Sequence, residues 1–176
     1  MKPEALKHAM YFGLMLGLVF ALNFFLSTLN NGWFTALQWV VTLAIPYLVY
    51  RLTVDCRNRV SGGAISYGAA LWYGTQLFFY AALISAVFKF IYFKFLNPDY
   101  LPNMINESLK ILDELNMLSG ELTEEQVRQL LTPLYVTMQY IWMDVIMGVF
   151  VSLVTAAFAK KDKSIFDTDI PQTNNQ

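Results

Sequence analysis

The chain has 176 residues, of which 56% are hydrophobic, 16% aromatic and only 14% charged, and its mean hydropathy is +0.43. A soluble domain carries about 25% charged residues, so this composition excludes an ordinary water-soluble globule and predicts a surface that partly faces lipid. The net charge of -1 excludes a basic nucleic-acid footprint, and the single cysteine, Cys56, excludes a disulfide scaffold.

The first predicted elements are two membrane-spanning helices within residues 9–50, a run that contains no charged side chain. At about 1.5 Å per residue, this run is roughly twice as long as one span requires. Asn30-Asn31-Gly32 is a turn sequence, and it divides the run into spans over residues 10–29 and 33–50. Residues 1–9 then form a short segment ahead of the first span.

Two further apolar segments predict the third and fourth spans. A loop is predicted over residues 51–59, followed by the flexible Ser61-Gly62-Gly63. The third span covers residues 67–96 and is long enough to project beyond the bilayer, and the fourth covers residues 133–158. The third span contains two lysines, interpreted as side chains that extend to its outer interface: Lys89 and Lys94.

The distribution of basic residues predicts the orientation of the four spans. Eight of the twelve basic residues fall in three segments that share one side of a four-span bundle: Lys2, Lys7, Arg51, Arg57, Arg59, Lys160, Lys161 and Lys163. By the positive-inside rule this side, with both termini, is cytoplasmic. Residues 159–176 form a cytoplasmic tail, predicted to be disordered because it contains few apolar residues.

An acidic helical hairpin is predicted over residues 97–132, on the opposite side of the membrane. Asn97-Pro98-Asp99 ends the third span, and Ser119-Gly120 ends the first hairpin helix. Thr123-Glu124-Glu125-Gln126 is a capping box that predicts a second hairpin helix. Thr132-Pro133 either kinks this helix into the fourth span or begins that span anew. The first hairpin helix carries apolar residues at helical spacing: Ile105, Leu109, Leu112, Leu115 and Leu118.

Two interpretations of this hairpin remain open. In one, Leu109, Leu112 and Leu115 form a docking surface for a partner or a lid over the bundle. In the other, the hairpin is a connection whose apolar face lies on the membrane surface or on its neighbour. A cation site formed by Glu121, Glu124 and Glu125 is a weaker alternative, since their spacing does not resemble a calcium loop and acidic residues at helix starts are commonly solvated. No metal is therefore expected.

Asp144 is the one charged residue of the fourth span. A carboxylate near the middle of a span costs about 2.5 to 3.5 kcal/mol on insertion scales, so its side chain needs partners. Four polar residues are predicted at a similar depth, and with Asp144 they form an intramembrane polar layer: Asn23, Gln38, Gln76 and Tyr80. Either a protonatable Asp144 takes part in an ion or proton relay, or a neutral Asp144 donates a hydrogen bond to Asn23 or Gln38 and fixes helix register.

Small residues at four-residue spacing predict close contacts between the helices. The first span carries Gly13, Gly17 and Ala21, and the fourth carries Gly148, Ser152 and Ala156. The third span carries two shorter faces, Ala70 with Gly74 and Ala82 with Ala86. They mate either within one chain or across a homo-oligomer, and contact within the chain is the expectation.

Known catalytic motifs are absent from the sequence. It contains no phosphate-binding glycine loop, no paired metal-binding histidines and no Ser-His-Asp set. Its single histidine, His8, follows Glu4 by four residues and is interpreted as half of a helix-surface pair. We therefore expect neither enzymatic activity nor a cofactor.

Four short motifs resemble one known family. They are Ile65-Ser66-Tyr67-Gly68 at the start of a span, the aromatic run Phe90-Ile91-Tyr92-Phe93-Lys94-Phe95, Asn97-Pro98-Asp99-Tyr100, and Leu122-Thr123-Glu124-Glu125-Gln126. With the hydropathy profile, they are similar to the uncharacterised bacterial membrane family catalogued as domain of unknown function 4199. This resemblance covers almost the whole chain. It implies a small four-span inner-membrane protein of the kind found chiefly in Bacteroidota, with a periplasmic hairpin, and it implies no activity.

The sequence thus predicts an all-α integral membrane four-helix bundle with an extramembrane helical hairpin between the third and fourth spans. The leading hypothesis is a non-enzymatic scaffold or accessory subunit that binds a membrane-protein partner through the hairpin or a small-residue face. The alternative is a proton- or cation-coupled transporter of a small solute that uses Asp144. A lipid-modifying enzyme is a third hypothesis, supported only by a cleft at the hairpin. The expected partners are the lipid bilayer and a protein partner or second copy, and not nucleic acid.

Overall fold

A computed structural model of the chain describes residues 3–29, 31–114 and 131–162. It contains α1 (Pro3–Thr28), α2 (Gly32–Arg59), α3 (Tyr67–Ile91), α4 (Tyr100–Glu114) and α5 (Pro133–Ala159), and a π-helical segment, Tyr92–Leu96, that continues α3. Four helices are long and apolar enough to cross a membrane: α1, α2, α3 with its π-helical segment, and α5. The chain is therefore all-α in its described part, with four long apolar helices packed together, as expected of a multi-pass membrane protein.

Some predicted features lie outside the described residues and stay predictions. They are Asn30 of the first turn, Leu115, the break at Ser119-Gly120, the second hairpin helix with its three glutamates, and the tail from residue 163 onward.

The helices begin and end close to the predicted span limits, except in α1 and α2. α1 begins at Pro3 rather than at residue 10, because proline is well suited to the first turn of a helix and no breaker follows it. α5 begins anew at Pro133, where the Thr132 hydroxyl accepts a hydrogen bond from the backbone N–H of Tyr135.

The loop predicted over residues 51–59 was wrong, because these residues form the last turns of α2. Asp55 and Arg59 are four residues apart, the spacing at which side chains meet on a helix, and Arg59 Nε lies 2.6 Å from Asp55 Oδ1. The opposite side of the same turns is fully buried at Thr53 and Cys56. A change from apolar to charged composition therefore marks the limit of the apolar span and not the end of the helix.

α3 is the centre of the bundle, packed along its length against α1 on one side and α5 on the other. α2 lies against α1 and α5 and contacts α3 only sparsely, so it covers the groove between those two helices. We call the end of the bundle that contains Pro3, Arg59, Tyr67 and Ala159 the base, and the end that contains α4 the top.

Glycines allow α1 to approach α3 closely. A Cβ atom at Gly13 would lie 2.6 Å from Tyr80 Cβ, and one at Gly17 would lie 2.7 Å from Ile84 Cβ. Real Cβ atoms do not approach so closely, so these two positions require glycine in this packing. Ala21, one turn further along, is half-buried.

The contact between α3 and α5 uses the second set of small residues. A Cβ atom at Gly148 would overlap the Phe78 ring, and one at Gly74 would overlap the Ser152 side chain. Ala156 is fully buried in a small core that also contains Ile65 and Ala70. The small-residue faces of α1 and α5 are thus both used within the chain.

Aromatic side chains join α4 to the top of the bundle. Phe93 of the π-helical segment, Leu101 of α4 and Val136 of α5 form a buried core, with the rings of Tyr100 and Tyr140 stacked near Phe93. The Asn97 N–H donates to the Tyr92 carbonyl over five residues, as the π geometry requires. Burial raises the pKa of the Tyr100 phenol above its ordinary value, and nearby Tyr92 and Glu107 add to this effect.

Backbone contacts close the base. Ile65 and Lys161 exchange two hydrogen bonds of 2.9 and 3.0 Å in an isolated antiparallel bridge. Arg57 Nη1 donates to the Ala159 carbonyl at 2.9 Å. The chain reverses before α3 at Gly62 and Gly63, whose φ angles of 72° and 85° are rarely adopted by other residues. The ends of α2, α3 and α5 are therefore held together.

Candidate functional site

A cavity of about 440 Å³ lies between α1, α2, α3 and α5. Most of its wall is apolar, and it includes four aromatic rings: Phe20, Phe24, Phe78 and Tyr140. The polar part of the wall comprises Asn23, Gln38, Thr42, Lys89 and Asp144, together with Ser27 near the top. A cavity of this size and composition, with a few converging polar groups, is typical of a site for a small molecule.

An ion pair between α3 and α5 lies in this cavity. Lys89 Nζ is 2.9 Å from Asp144 Oδ2, and the exposed fractions of the two side chains are 5% and 24%. The ammonium group also lies 4.4 Å from the centre of the Tyr140 ring and 5.9 Å from that of Phe24. Lys89 is therefore neutralised by one carboxylate and surrounded by aromatic rings.

The interpretation of Lys89 as a side chain that extends to the interface was wrong. Ala81, Ser85, Lys89 and Phe93 follow one another at four-residue spacing, and all are buried on the same face of α3. Lys89 therefore points into the bundle, where Asp144 is its partner. Lys94 does lie on the exposed surface, beside the rings of Phe90 and Phe95. The four-residue spacing of the buried face was the signal that would have separated the two lysines.

Asp144 does not donate a hydrogen bond to Asn23 or Gln38, so that interpretation was also wrong. Its hydrogen bond is to Lys89. The amide of Asn23 instead donates to the Thr42 hydroxyl at 3.0 Å, and that hydroxyl donates to the Gln38 carbonyl at 2.9 Å. Equal depth placed these residues in one layer, but the face of each helix decides which of them meet.

The structure brings together three of the five residues predicted to form the polar layer. Asn23, Gln38 and Asp144 line the same cavity. Tyr80 packs instead beside Gly13 at the contact between α1 and α3, and Gln76 is half-buried outside the lining of the cavity.

A second polar cluster, absent from the sequence predictions, lies at the base. His8 Nδ1 is 2.8 Å from the Tyr73 hydroxyl, and His8 Nε2 is 3.2 Å from Asp55 Oδ2. Asp55 also pairs with Arg59. The pairing of His8 with Glu4 is therefore wrong, since the largely buried imidazole ties α1 to α2 and α3. The sequence showed only that these charges lie just beyond the apolar runs, which does not identify their partners.

A further cavity of about 490 Å³ lies beside this cluster. Its lining includes Cys56, Tyr73 and the hydroxyl groups of Ser61 and Ser66. Cys56 is fully buried, and the Ser66 hydroxyl accepts a hydrogen bond from the Ala69 N–H as the N-cap of α3. These side chains therefore have structural contacts that account for them.

The residues predicted to bind a partner are only partly described. Leu109 is buried, like Leu101 and Ile105 on the same side of α4, so its side chain does not lie on a free surface. The side chain of Leu112 and all of Leu115 lie outside the described part of the chain. Within that part, no group of three or more His, Cys, Asp or Glu side chains is placed to hold a metal ion.

Comparison with known proteins identifies one family. The family model described as "Protein of unknown function (DUF4199)" matches residues 7–161 of the chain. The chain belongs to this family, as the short motifs indicated, and the match spans all four apolar helices. Neither a curated protein nor a solved structure matches the chain.

Proposed function

We propose that this DUF4199 protein transports a small solute through its intramembrane cavity and couples that movement to protonation of Asp144. The observation that carries the proposal is the Lys89–Asp144 ion pair in the wall of a solute-sized cavity. We further propose that the protein is not an enzyme, since the Lys89 amine is held as an ion pair with Asp144 and not as a free nucleophile.

Energetics support a functional role for this pair. Desolvation of two charges is expensive, and apolar residues of similar volume often stabilise a protein as well as a buried ion pair does. Ionisable residues inside a membrane protein commonly mark a substrate or ion pathway. The exposed part of the Asp144 side chain faces a cavity, which a purely structural pair does not require.

The pair also offers a physical means of coupling. A proton on Asp144 removes its negative charge and leaves the Lys89 ammonium without a counter-ion. The contact between α3 and α5 at this level is then weakened, so protonation favours a different arrangement of the two helices around the pair. A solute that contacts Asp144 favours one protonation state over the other, so solute and proton affect each other's binding.

Cysteine accessibility tests the proposal without knowledge of the solute. In a Cys56→Ala background, Gln38→Cys places a thiol in the cavity wall, and Trp39→Cys places one on the outer surface of the same helix turn. A membrane-impermeant maleimide is applied to right-side-out and to inverted vesicles. A transporter exposes its cavity to each side in turn, so we expect the thiol at position 38 to react in both vesicle types. The thiol at position 39, facing lipid, reacts in neither.

Asp144→Asn tests whether exposure of the cavity depends on protonation of Asp144. The asparagine side chain preserves shape and hydrogen bonding but cannot titrate. We therefore expect a change in the ratio between labelling of the thiol at position 38 from one side of the membrane and from the other. Labelling from one side only, at a rate that Asp144→Asn leaves unaltered, would contradict the proposal.

A second candidate function is that of an accessory subunit, and it is favoured by the poor packing of α2. Only 6% of its most apolar stretch is buried in the chain, against 22 to 44% for the other three helices. Trp39, Leu43 and Tyr47 leave a broad outer surface on which a helix of another membrane protein can lie. Crosslinking in native membranes, followed by mass spectrometry, tests this function. A reproducible foreign subunit linked to α2 is the expected result, and recovery of the chain alone would count against it.

We propose the bacterial inner membrane as the location, with the base and both termini in the cytoplasm. The support is the distribution of basic residues, since Lys7, Arg51, Arg57, Lys160 and Lys161 all lie at or near the base.

A further inference from the structure

We infer that the solute bound in the cavity is a small organic cation, an amine whose ammonium group binds Asp144 and whose apolar part lies among the aromatic rings. This inference rests on the proposed transport function and adds the chemical class of its solute.

The accessible charge in the cavity is negative. Among the described residues of the lining, only Lys89 and Asp144 are charged, and their side chains differ about fivefold in exposed fraction, 5% against 24%. The lysine ammonium is occupied by Asp144 Oδ2 and by the Tyr140 ring. Asp144 Oδ1 accepts no hydrogen bond from any described residue. A solute entering the cavity therefore encounters a carboxylate oxygen with a free lone pair, and a cationic donor is its best partner.

Pro46 leaves one backbone carbonyl of α2 without its usual helical donor. Pro46 lies inside α2 and has no N–H, so it cannot donate the usual helical hydrogen bond to the Thr42 carbonyl. Both residues line the cavity. A carbonyl without its helical donor attracts cations and hydrogen-bond donors, as the interrupted helices of transporters do.

The apolar part of the lining also suits a cation. Phe20 and Phe78 lie with their ring centres 5.6 Å apart on the wall between α1 and α3, and Phe24 and Tyr140 already surround the Lys89 ammonium. Aromatic faces attract ammonium groups by about 0.5 to 2 kcal/mol, depending on desolvation. An anion would meet these negative faces and would have to displace Asp144 from Lys89.

A cation and a proton then compete for the same carboxylate. The titratable groups that face Asp144 are Lys89 from α3 and Tyr140 from its own helix, whereas the lining residues of α1 and α2 carry none. Binding of the amine favours deprotonated Asp144, and protonation releases the amine. The coupling is therefore exchange of a cation for a proton, not joint movement of both in one direction.

Three probes of similar shape and different charge test the inference. Radiolabelled 2-phenylethylamine is the cation, 2-phenylethanol the neutral analogue and 3-phenylpropionate the anion. Each is bound to the full-length protein in nanodiscs at pH 7.5, with empty nanodiscs measuring partition into lipid. We expect saturable binding of the amine, at least about tenfold tighter than binding of either analogue, because a charged hydrogen bond is worth roughly 1.5 to 3 kcal/mol.

Variants locate the binding. Asp144→Asn is expected to weaken amine binding by at least about tenfold. Because this change leaves Lys89 without a counter-ion, the double variant Lys89→Gln with Asp144→Asn repeats the test with no buried charge. Phe20→Leu removes one aromatic face and is expected to weaken amine binding about fivefold while leaving 2-phenylethanol binding nearly unchanged. Asp99→Asn, which changes an exposed carboxylate at the top, is the matched control and should bind like the unaltered protein.

The outcomes separate this inference from the transport function. The inference of an organic cation is overturned if amine binding is unaffected by both Asp144 variants. It is also overturned if the amine binds more weakly than either analogue. Failure of all three probes to bind saturably also overturns it. The transport function stands or falls independently, on labelling of the thiol at position 38 from the two sides.

Discussion

The buried charges show what the identity of a single residue can reveal and what it cannot. Asp144 was identifiable from the sequence because a carboxylate inside a long apolar run is costly in lipid. Its partner was not, because a lysine near the end of a span has two physically reasonable positions. Only the packing of α3 against α5 places Lys89 on the buried face, opposite the carboxylate. The same holds for His8, whose contacts with Asp55 and Tyr73 come from three helices far apart in sequence.

The Lys89–Asp144 pair predicts strongly non-additive effects of mutation. Lys89→Met alone and Asp144→Leu alone each leave one buried charge unpaired, and each is expected to destabilise the protein by about 3 to 5 kcal/mol. The double variant removes both charges and should recover most of that loss. Thermal melting in mild detergent, followed by tryptophan fluorescence, gives the comparison. A double variant whose melting temperature falls by the sum of the two single changes would show that the side chains are not coupled.

His8 is expected to stabilise the base. His8→Ala removes both hydrogen bonds and leaves the fully buried Tyr73 hydroxyl without its partner, at a cost of about 1 to 3 kcal/mol. Amide hydrogen exchange should then become faster in the first turns of α1. Glu4→Ala, at an exposed position one turn earlier in the same helix, is the control. Equal amide exchange rates in the two variants would show that His8 does not stabilise the base.

At the scale of the element, the four apolar helices were predictable because lipid imposes a simple rule on length and hydropathy. The rule says nothing about a helix outside the bilayer, which is why the last turns of α2 were taken for a loop. The glycine contacts of α3 with α1 and with α5 were only partly predictable from the sequence. Spacing alone indicated close approach, but it did not reveal that both faces pack against the central α3.

The close contacts of α3 predict opposite effects of the same substitution at different glycines. Gly17→Ala and Gly148→Ala each add a methyl group where a neighbour already fills the space, and we expect each to destabilise the bundle by about 1 to 3 kcal/mol. Gly68→Ala is the matched control, because a Cβ atom there meets nothing within 4 Å and alanine favours the helix. It should raise the melting temperature slightly. Equal effects at the three positions would mean that α1 and α5 do not pack tightly on α3.

At the scale of the whole molecule, one arrangement of helices accounts for the cavity and for the coupling that we propose. α3 packs tightly on two sides, whereas α2 contacts it sparsely and covers the groove. Two polar groups at different levels link α3 to its neighbours, the ion pair with α5 and the His8 cluster with α1 and α2. The number of helices followed from the sequence, but the central position of α3 did not. Four helices of similarly apolar composition can be arranged in several orders around one another, and the fit of their side chains selects among these orders.

The proposed orientation of the whole molecule rests on the distribution of charge and gives the last prediction. Because basic residues concentrate at the base, we expect that end to be in the cytoplasm and the top in the periplasm. In a Cys56→Ala background, Asn58→Cys marks the base and Asp99→Cys marks the top, and both positions are exposed. A membrane-impermeant maleimide added to spheroplasts should label the thiol at position 99 at once, and the thiol at position 58 only after lysis. The reverse pattern would invert the bundle and contradict the positive-inside assignment of its orientation.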